Sequence, residues 1–295
     1  ILVVRDHDDI LCGFFNVCRH HAAAVMTKPE GKTETLRCPY HGWTYDLNGA
    51  LIVTPEFAAV RNFDRSSNAL RPLEVTQWES LVFAKLATGS PSLENFLGSD
   101  LVRQIRLLSL ETLHWMERRV YKLNCNWKVF VDNYLDGGYH VPHLHRGLNS
   151  VLDSVNYTIE TGERFCRQSS PISTERADLP TAAVRKGNHA LYYWIYPNLM
   201  INRYENVMDL NLVCPRGVDR TEVVFDFYFS DVSETVRKQN LASIAVSERI
   251  QAEDVAICES VQRGLKSSVY TAGRLSVRRE AGEHHRRGSG RVRSL

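Results

Sequence analysis

Between Ile1 and Leu86 the apolar positions come in short runs, ILVV at 1–4, FFNV at 14–17, TLRC at 35–38 and SLVFAKL at 80–86, separated by polar and glycine-containing stretches. Runs of that length bounded by turn residues predict strands, and Asp46-Leu-Asn-Gly49 predicts a turn. Thr88-Gly-Ser-Pro-Ser92 then breaks the pattern, dividing a first domain at 1–87 from a second at 88–282. Helical patterns follow, one to about Leu110 and one from Asn124 to Tyr139 that stops at Gly137-Gly138. From Tyr157 to Phe229 the period returns to two, in YTIE, LYYWIY, MDLNLV and VVFDFYF, which predicts an antiparallel sheet.

The longest helical stretch, 231–265, opens on Asp231-x-x-Glu234, a spacing that resembles a capping box. Within it Ile244, Ser247, Ile250, Asp254, Ile257, Val261 and Leu265 recur at intervals of three and four. Asp254 thus falls in the middle of a stripe predicted to face the core. An unpaired buried carboxylate is costly, and a cation offsets that cost. Glu253 and Glu259 lie roughly 100° and 140° away around the helix and are expected to face elsewhere.

With 43% hydrophobic and 24% charged residues, the 295-residue chain has the composition of a globular protein with a sizeable core. No apolar run approaches the roughly 18–20 residues of a membrane span. The net charge of +2 is too small to argue for a nucleic-acid partner, and the four arginines of 284–295 exceed it, so 283–295 is expected to be a basic, disordered tail. The chain opens on Ile1 in an apolar segment, and further residues are expected in front of it. Seven scattered cysteines, an odd number, argue for a reducing compartment with some thiols serving as ligands.

Cys18-Arg19-His20 and Cys38-Pro-Tyr-His41 each bring one thiol and one imidazole on a tight loop. Zinc takes the same ligands, but structural zinc sites usually pair Cys with Cys and His with His. The mixed order suits a [2Fe–2S] cluster with two Cys on one iron and two His on the other. Neutral imidazoles in place of two thiolates raise the cluster's potential, so it accepts electrons and passes them on. His21 has no natural place in the set and reads as structural or exposed.

A second group, His140-Val-Pro-His143-Leu-His145, holds three histidines in six residues. Two His and one carboxylate on one face of Fe(II) leave open positions for O2 beside a substrate. The spacing leaves open which two histidines serve, since Pro142 is expected to break a regular helix. Tyr192, Trp194 and Tyr196 alternate along one strand face and Tyr204 follows, so the four are candidates for an aromatic cage around a quaternary ammonium, or equally for core packing.

With CRHH at 18–21, CPYHGWTYD at 38–46, NWKVFVDNYLDGGYHVPHLH at 126–145 and EDVAICESVQRGL at 253–265, the chain resembles the Rieske non-haem iron oxygenases over nearly its whole length, departing after about Gly282. The resemblance implies an α+β fold: an N-terminal all-β Rieske domain, then a helix-grip-like antiparallel sheet wrapped on a long C-terminal helix. It implies Cys18, His20, Cys38 and His41 as cluster ligands and His140, His145 and Asp254 as ligands of a mononuclear Fe(II), with His143 outside. Asp136 takes the role of the acidic bridge to a cluster histidine of a neighbouring subunit, with Asp132 as its rival and Asn133 near the iron. In much of the family that acid sits three residues before the first His; here it sits four before, and Gly137-Gly138 would let the backbone bulge to compensate.

Within the family the similarity is greatest to the branch acting on quaternary amines. It implies ferredoxin-dependent monooxygenation of choline to the hydrate of betaine aldehyde, in a homo-oligomer (a trimer) of the chloroplast stroma. A family member acting on another quaternary amine or an aromatic ring, and a Rieske electron carrier without oxygenase activity, are the competing readings.

Overall fold

In the computed structural model the residues described are 1–87, 89–173 and 179–276. Thr88 and the basic stretch 283–295 lie outside them. The chain divides into two compact units, Ile1–Phe96 and a second from Leu97 onward, slightly beyond the turn-rich stretch at 88–92.

The first unit is built on short strands: β1 (Leu2–Arg5), β2 (Leu11–Phe14), β3 (Leu36–Arg37), β4 (Thr44–Tyr45), β5 (Leu51–Val53), β6 (Pro72–Trp78) and β7 (Leu81–Lys85). β1, β2, β6 and β7 pair in that order, and β3, β4 and β5 form a second sheet. Phe14, Leu36, Tyr45 and Leu51 are buried between them. The predicted turn forms because Asp46 Oδ1 accepts from the amides of Asn48 (3.0 Å) and Ala50 (2.8 Å). Gly49 there has φ +83°, and a Cβ would lie 2.5 Å from Phe14, so only glycine fits.

Helices α1 (Leu93–Leu97) and α2 (Ser99–Arg106) precede the large sheet of the second unit. Its strands are β8 (His114–Leu123), β9 (Thr158–Thr161), β10 (Phe165–Pro171), β11 (His189–Ile195), β12 (Leu199–Arg203), β13 (Val207–Gly217) and β14 (Arg220–Phe229). All pair antiparallel in the order β8-β14-β13-β12-β11-β10-β9, so β9 to β14 meander and β8 closes the edge beyond β14. Phe225, Phe227 and Phe229 alternate inward along β14 into one apolar core. Each such burial contributes about 1.5–3 kcal/mol. The helices are α3 (Trp127–Tyr134), α4 (Val141–Leu144), α5 (Arg146–Asn149), α6 (Leu179–Val184) and α7 (Arg237–Leu265), with α3 and α6 packed on α7.

Three sequence expectations are corrected. Helix α7 begins at Arg237, not at 231: Asp231 closes a local turn by accepting from the Ser233 amide at 2.8 Å rather than capping a helix. Its inward stripe passes through Ile244, Ser247, Gln251 and Cys258, whereas Ile257 and Val261 are 39% and 44% exposed. Hydrophobicity picked the wrong side of the last turns, because small or polar residues there make the contacts. Pro142, expected to break helix, instead lies in the first turn of α4, where its missing N–H has no intrahelical partner to lose.

All seven cysteines are free. Among the described residues, no helix is long and apolar enough to cross a membrane.

Candidate metal centres and substrate cavity

The two Cys-His loops fold alike. In one, the Cys18 amide donates to Ala23 O and Cys18 O accepts from Ala22; in the other, the Cys38 amide donates to Trp43 O and Cys38 O accepts from Gly42. The fourth residue after each cysteine is left-handed, Ala22 at φ 60° and Gly42 at φ 73°, which closes each loop just after its histidine. The two thiols are buried, and Cys18 Sγ lies 3.5 Å from Tyr45 Oη. The rings of His20 and His41 lie 4.6 Å apart, and His20 stacks on Trp43 at 4.7 Å.

Burial raises the Cys38 thiol pKa, and the adjacent Cys18 adds to the shift. Desolvation, reinforced by His21 and His41, lowers that of His20 and favours the neutral imidazole a metal requires. His20 Nδ1 is buried without a hydrogen-bond partner. Two adjacent buried thiols and a buried, unpartnered imidazole nitrogen are the donors a Rieske cluster takes, so the residues fit that group. His21 is exposed, as expected, yet its ring lies 4.2 Å from His20 and its ligand atoms fall in the same histidine group.

The second centre is assembled from α3, the segment after it, and α7. Asn126 caps α3 by accepting from the Lys128 amide, and buried Val129, Phe130 and Val131 anchor that helix. After Leu135 the chain turns sharply, with Gly137 at φ 69° and Gly138 at φ 68°. This turn brings Asp136 back to His140: Oδ2 accepts from the His140 amide at 3.1 Å and lies 2.5 Å from its Nδ1. His140 thereby presents Nε2 toward Asp254 Oδ1, 3.9 Å away. His145 Nε2 lies 3.1 Å from the same oxygen. Ligand atoms of His140, His145 and Asp254 all fall within 4.8 Å of one another. His143 is exposed outside the group, and Asp132 is not a member of it.

Two carboxylates hold His145. Burial opposes its protonation, but Asp254 and Glu253 together override that and keep its pKa above the usual value. Asn133 Nδ2 donates to Asp254 Oδ1 at 2.7 Å. Two imidazoles and a carboxylate so converged, with surplus negative charge behind them, fit a divalent cation. Iron bound there would supply O2 activation. Glu253 was expected to face away and does not: its Oε2 is 2.6 Å from His145 Nδ1. Glu259 does face away, accepting from the Asn124 amide at 2.8 Å.

A cavity of about 110 Å³ opens beside this centre. Besides His140, His145, Asp254 and Asn133, its wall includes Tyr134, Tyr157, Tyr192, Tyr204, Arg185, Asp209, Asn211 and Gln251. Of the four aromatics expected to form a cage, Tyr192 and Tyr204 line it, their hydroxyls 2.9 Å apart. Trp194 and Tyr196 do not: Trp194 is buried in the apolar core and donates from its indole to Pro197 O at 3.2 Å. They share a side with Tyr192, but each period-two step along a strand carries the chain roughly 7 Å further from the metal ligands.

Sequence reasoning did not single out Arg185, Asp209, Asn211 or Gln251. Asp209 and Asn211 alternate inside the apolar strand MDLNLV, a buried-polar signal that could have marked them. Burial pushes the Asp209 carboxyl up to about 6, against the pull of Arg185 and the bonds from Asn202 and Asn211.

The catalytic domain of ring hydroxylating alpha subunits matches residues 110–288, and the Rieske [2Fe-2S] domain matches residues 1–64. The chain is 38% identical to the chloroplastic choline monooxygenase of Arabidopsis thaliana, covering 94% of this chain and 67% of that protein. It is 32% identical to that of Spinacia oleracea, covering 96% and 65%. The carnitine monooxygenase oxygenase subunit of Escherichia coli strain K12 is 28% identical over 92% of this chain and 72% of its own. This chain thus spans about two thirds of the plant relatives' length. Among solved structures, the quaternary ammonium Rieske monooxygenase CntA in complex with L-carnitine superposes with a TM-score of 0.82 at 26% identity, covering 98% of this chain and 80% of that one. Both domain families recur here in one polypeptide, and the plant relatives match it along more than nine-tenths of its length, so the chain belongs to the Rieske-type ring-hydroxylating oxygenase alpha subunits.

Proposed function

We propose that the chain is the oxygenase component of a monooxygenase that hydroxylates a quaternary amine, choline being the substrate that family resemblance implies. The convergence of His140, His145 and Asp254 at one end of a cavity lined by Tyr192 and Tyr204 carries this reading. One C–H bond of the substrate becomes C–OH, while O2, two electrons and two protons supply the inserted oxygen and one water. On choline the oxidised carbon is the one bearing the hydroxyl, and the product is the hydrate of betaine aldehyde.

The chain's own residues have distinct parts. Cys18, His20, Cys38 and His41 hold the cluster that receives electrons from a ferredoxin-type donor. Asp136, bonded to His140, carries them from a cluster histidine of a neighbouring subunit in a homo-oligomer, a trimer by family resemblance. Asn133 and Glu253 fix the outer faces of the ligands. Tyr192 and Tyr204 offer aromatic faces to the methylated ammonium, whose shielded charge favours cation–π contact. The chloroplastic relatives support a chloroplast location.

Anaerobic reconstitution followed by O2, reduced plant-type ferredoxin and choline tests the reading. Betaine aldehyde formed in step with O2 consumption supports it; cluster turnover with no oxidised product from choline, carnitine or glycine betaine overturns it.

A further inference from the structure

Two buried thiols that neither metal centre uses come together where the start of α3 crosses α7. Cys125 and Cys258 are both free, and they are 0% and 1% exposed. Backbone bonds on either side of Cys125 seat it on that helix. The Asn124 amide donates to Glu259 Oε1 at 2.8 Å, and the Asn126 amide donates to Gln262 Oε1 at 2.7 Å. Both acceptors belong to α7, and Cys258 immediately precedes Glu259. The Cys258 thiol lies 4.0 Å from Val129 O in the first turn of α3. Thr221 Oγ1 donates to Cys125 O at 2.8 Å and holds the segment from the other side.

The two thiols also act on each other unequally. Cys258 lowers the pKa of Cys125, whereas Cys125, with burial added, raises that of Cys258. Thiolate character, and with it reactivity toward oxidants, is thus concentrated on Cys125. Cys258 lies four residues after Asp254, about 6 Å further along α7. Bulk solvent does not touch the pair, so an oxidant formed beside the metal ligands has the shorter path to it. When O2 takes up two electrons and two protons without hydroxylating a substrate, the product is hydrogen peroxide.

We propose that Cys125 and Cys258 are an internal oxidation site for hydrogen peroxide, closing as a disulfide that joins the start of α3 to α7. Cys125 Sγ attacks one peroxide oxygen and the O–O bond breaks, giving a sulfenic acid and one water. Cys258 Sγ then displaces the sulfenic oxygen as a second water and forms the S–S bond. Two thiols and one peroxide become one disulfide and two waters; the sulfurs give up two electrons and the peroxide oxygens accept them. The step removes a peroxide beside His140, His145 and Asp254 and leaves a bond that a thiol reductant reopens. The source of the peroxide rests on the oxygenase reading above; the thiol pair rests on the seating of Cys125 on α7.

Peptide mapping of the reconstituted full-chain enzyme tests it, with free thiols blocked in denaturant and cross-linked peptides read by mass spectrometry. One sample receives added hydrogen peroxide. The other consumes O2 with reduced ferredoxin and no substrate, with catalase in solution to destroy peroxide that escapes. Both are expected to yield a reducible peptide pair joining Cys125 to Cys258. In Cys258→Ser the reaction stops at a sulfenic acid on Cys125, which dimedone traps; in Cys125→Ser, Cys258 stays unlabelled. A Cys125–Cys258 bridge absent from both samples, or either thiol bridged instead to another cysteine, overturns the proposal. A bridge with added peroxide but none during substrate-free turnover upholds the thiol pair and overturns the metal centre as its peroxide source, so the two readings fail separately. If the serine variants do not fold, the wild-type map decides alone.

Discussion

Glu253 Oε2 lies 2.6 Å from Nδ1 of His145, while Asp254, the next residue of the same helix, lies 3.1 Å from its Nε2. Two consecutive carboxylates thus bracket one imidazole. Asp254 takes the face where a metal would bind, and Glu253 accepts from the opposite nitrogen. His140 is served in the same way by Asp136 at 2.5 Å. Each histidine has a carboxylate behind it, which fixes its ring and raises its basicity as a ligand.

Removing the charge behind His145 weakens the metal without touching a ligand. Glu253→Gln lowers mononuclear iron affinity by about 10–100-fold, measured by competition with a chelator. The Rieske absorption spectrum stays that of the wild type. Unchanged affinity would show that the 2.6 Å contact does not support the ligand.

Asp136→Asn separates electron delivery from metal binding. Its carboxylate touches His140 but lies outside the His140, His145 and Asp254 group. With the iron site saturated by added Fe(II), which offsets the weaker binding that loss of the bond to His140 brings, the rate at which a reduced cluster is reoxidised by O2 in the presence of substrate still falls by about 10–100-fold per bound iron in single-turnover experiments. A normal rate with Asn in place refutes the bridging role.

Gly138→Ala strains the turn that sets Asp136 against His140. The residue sits at φ +68°, and a Cβ would lie 3.0 Å from the Tyr157 ring. The left-handed backbone alone costs about 1–2 kcal/mol, read as a lower midpoint in denaturant unfolding. The matching change at Gly89, at φ +76° but with nothing near its Cβ, isolates the backbone contribution from the contact with Tyr157.

Asp209 gives a pH dependence of definite sign. Its folded pKa is raised from 3.8 to about 6 by burial, so the folded state binds the proton more tightly than the unfolded state. Its contribution to stability is therefore most favourable below about pH 4 and is lost as pH rises through about 6. At neutral pH the penalty is up to about 3 kcal/mol. Asp209→Asn gains on the wild type as pH rises from 5 to 7.5 in urea unfolding, by about 1–2 kcal/mol across that window. A difference independent of pH contradicts the raised pKa.

Much of this was legible in sequence because local chemistry and periodicity agree. The Cys18-x-His20 and Cys38-x-x-His41 loops needed only their spacing, since each closes on its own backbone bonds. Asp254 stood out because a carboxylate interrupts a buried helical stripe. Glu253 was missed because angular position on a helix describes the Cα, whereas a glutamate arm can reach back toward the neighbouring face. Arg185 lies just after the short α6, outside any periodic pattern, and only the fold brings it to Ser243 and Ser247. Trp194 and Tyr196 show the opposite failure: strand alternation gives the face correctly but not how far along the strand the site extends.

Iron and acid-labile sulfide counted per chain after anaerobic reconstitution test the two-centre account most directly. With the cluster on Cys18, His20, Cys38 and His41 and a mononuclear ion on His140, His145 and Asp254, the account predicts about three irons and two sulfides, falling to about two irons with the sulfide unchanged in Asp254→Ala. About two irons in the wild type, or an iron content that Asp254→Ala leaves unaltered, would contradict it.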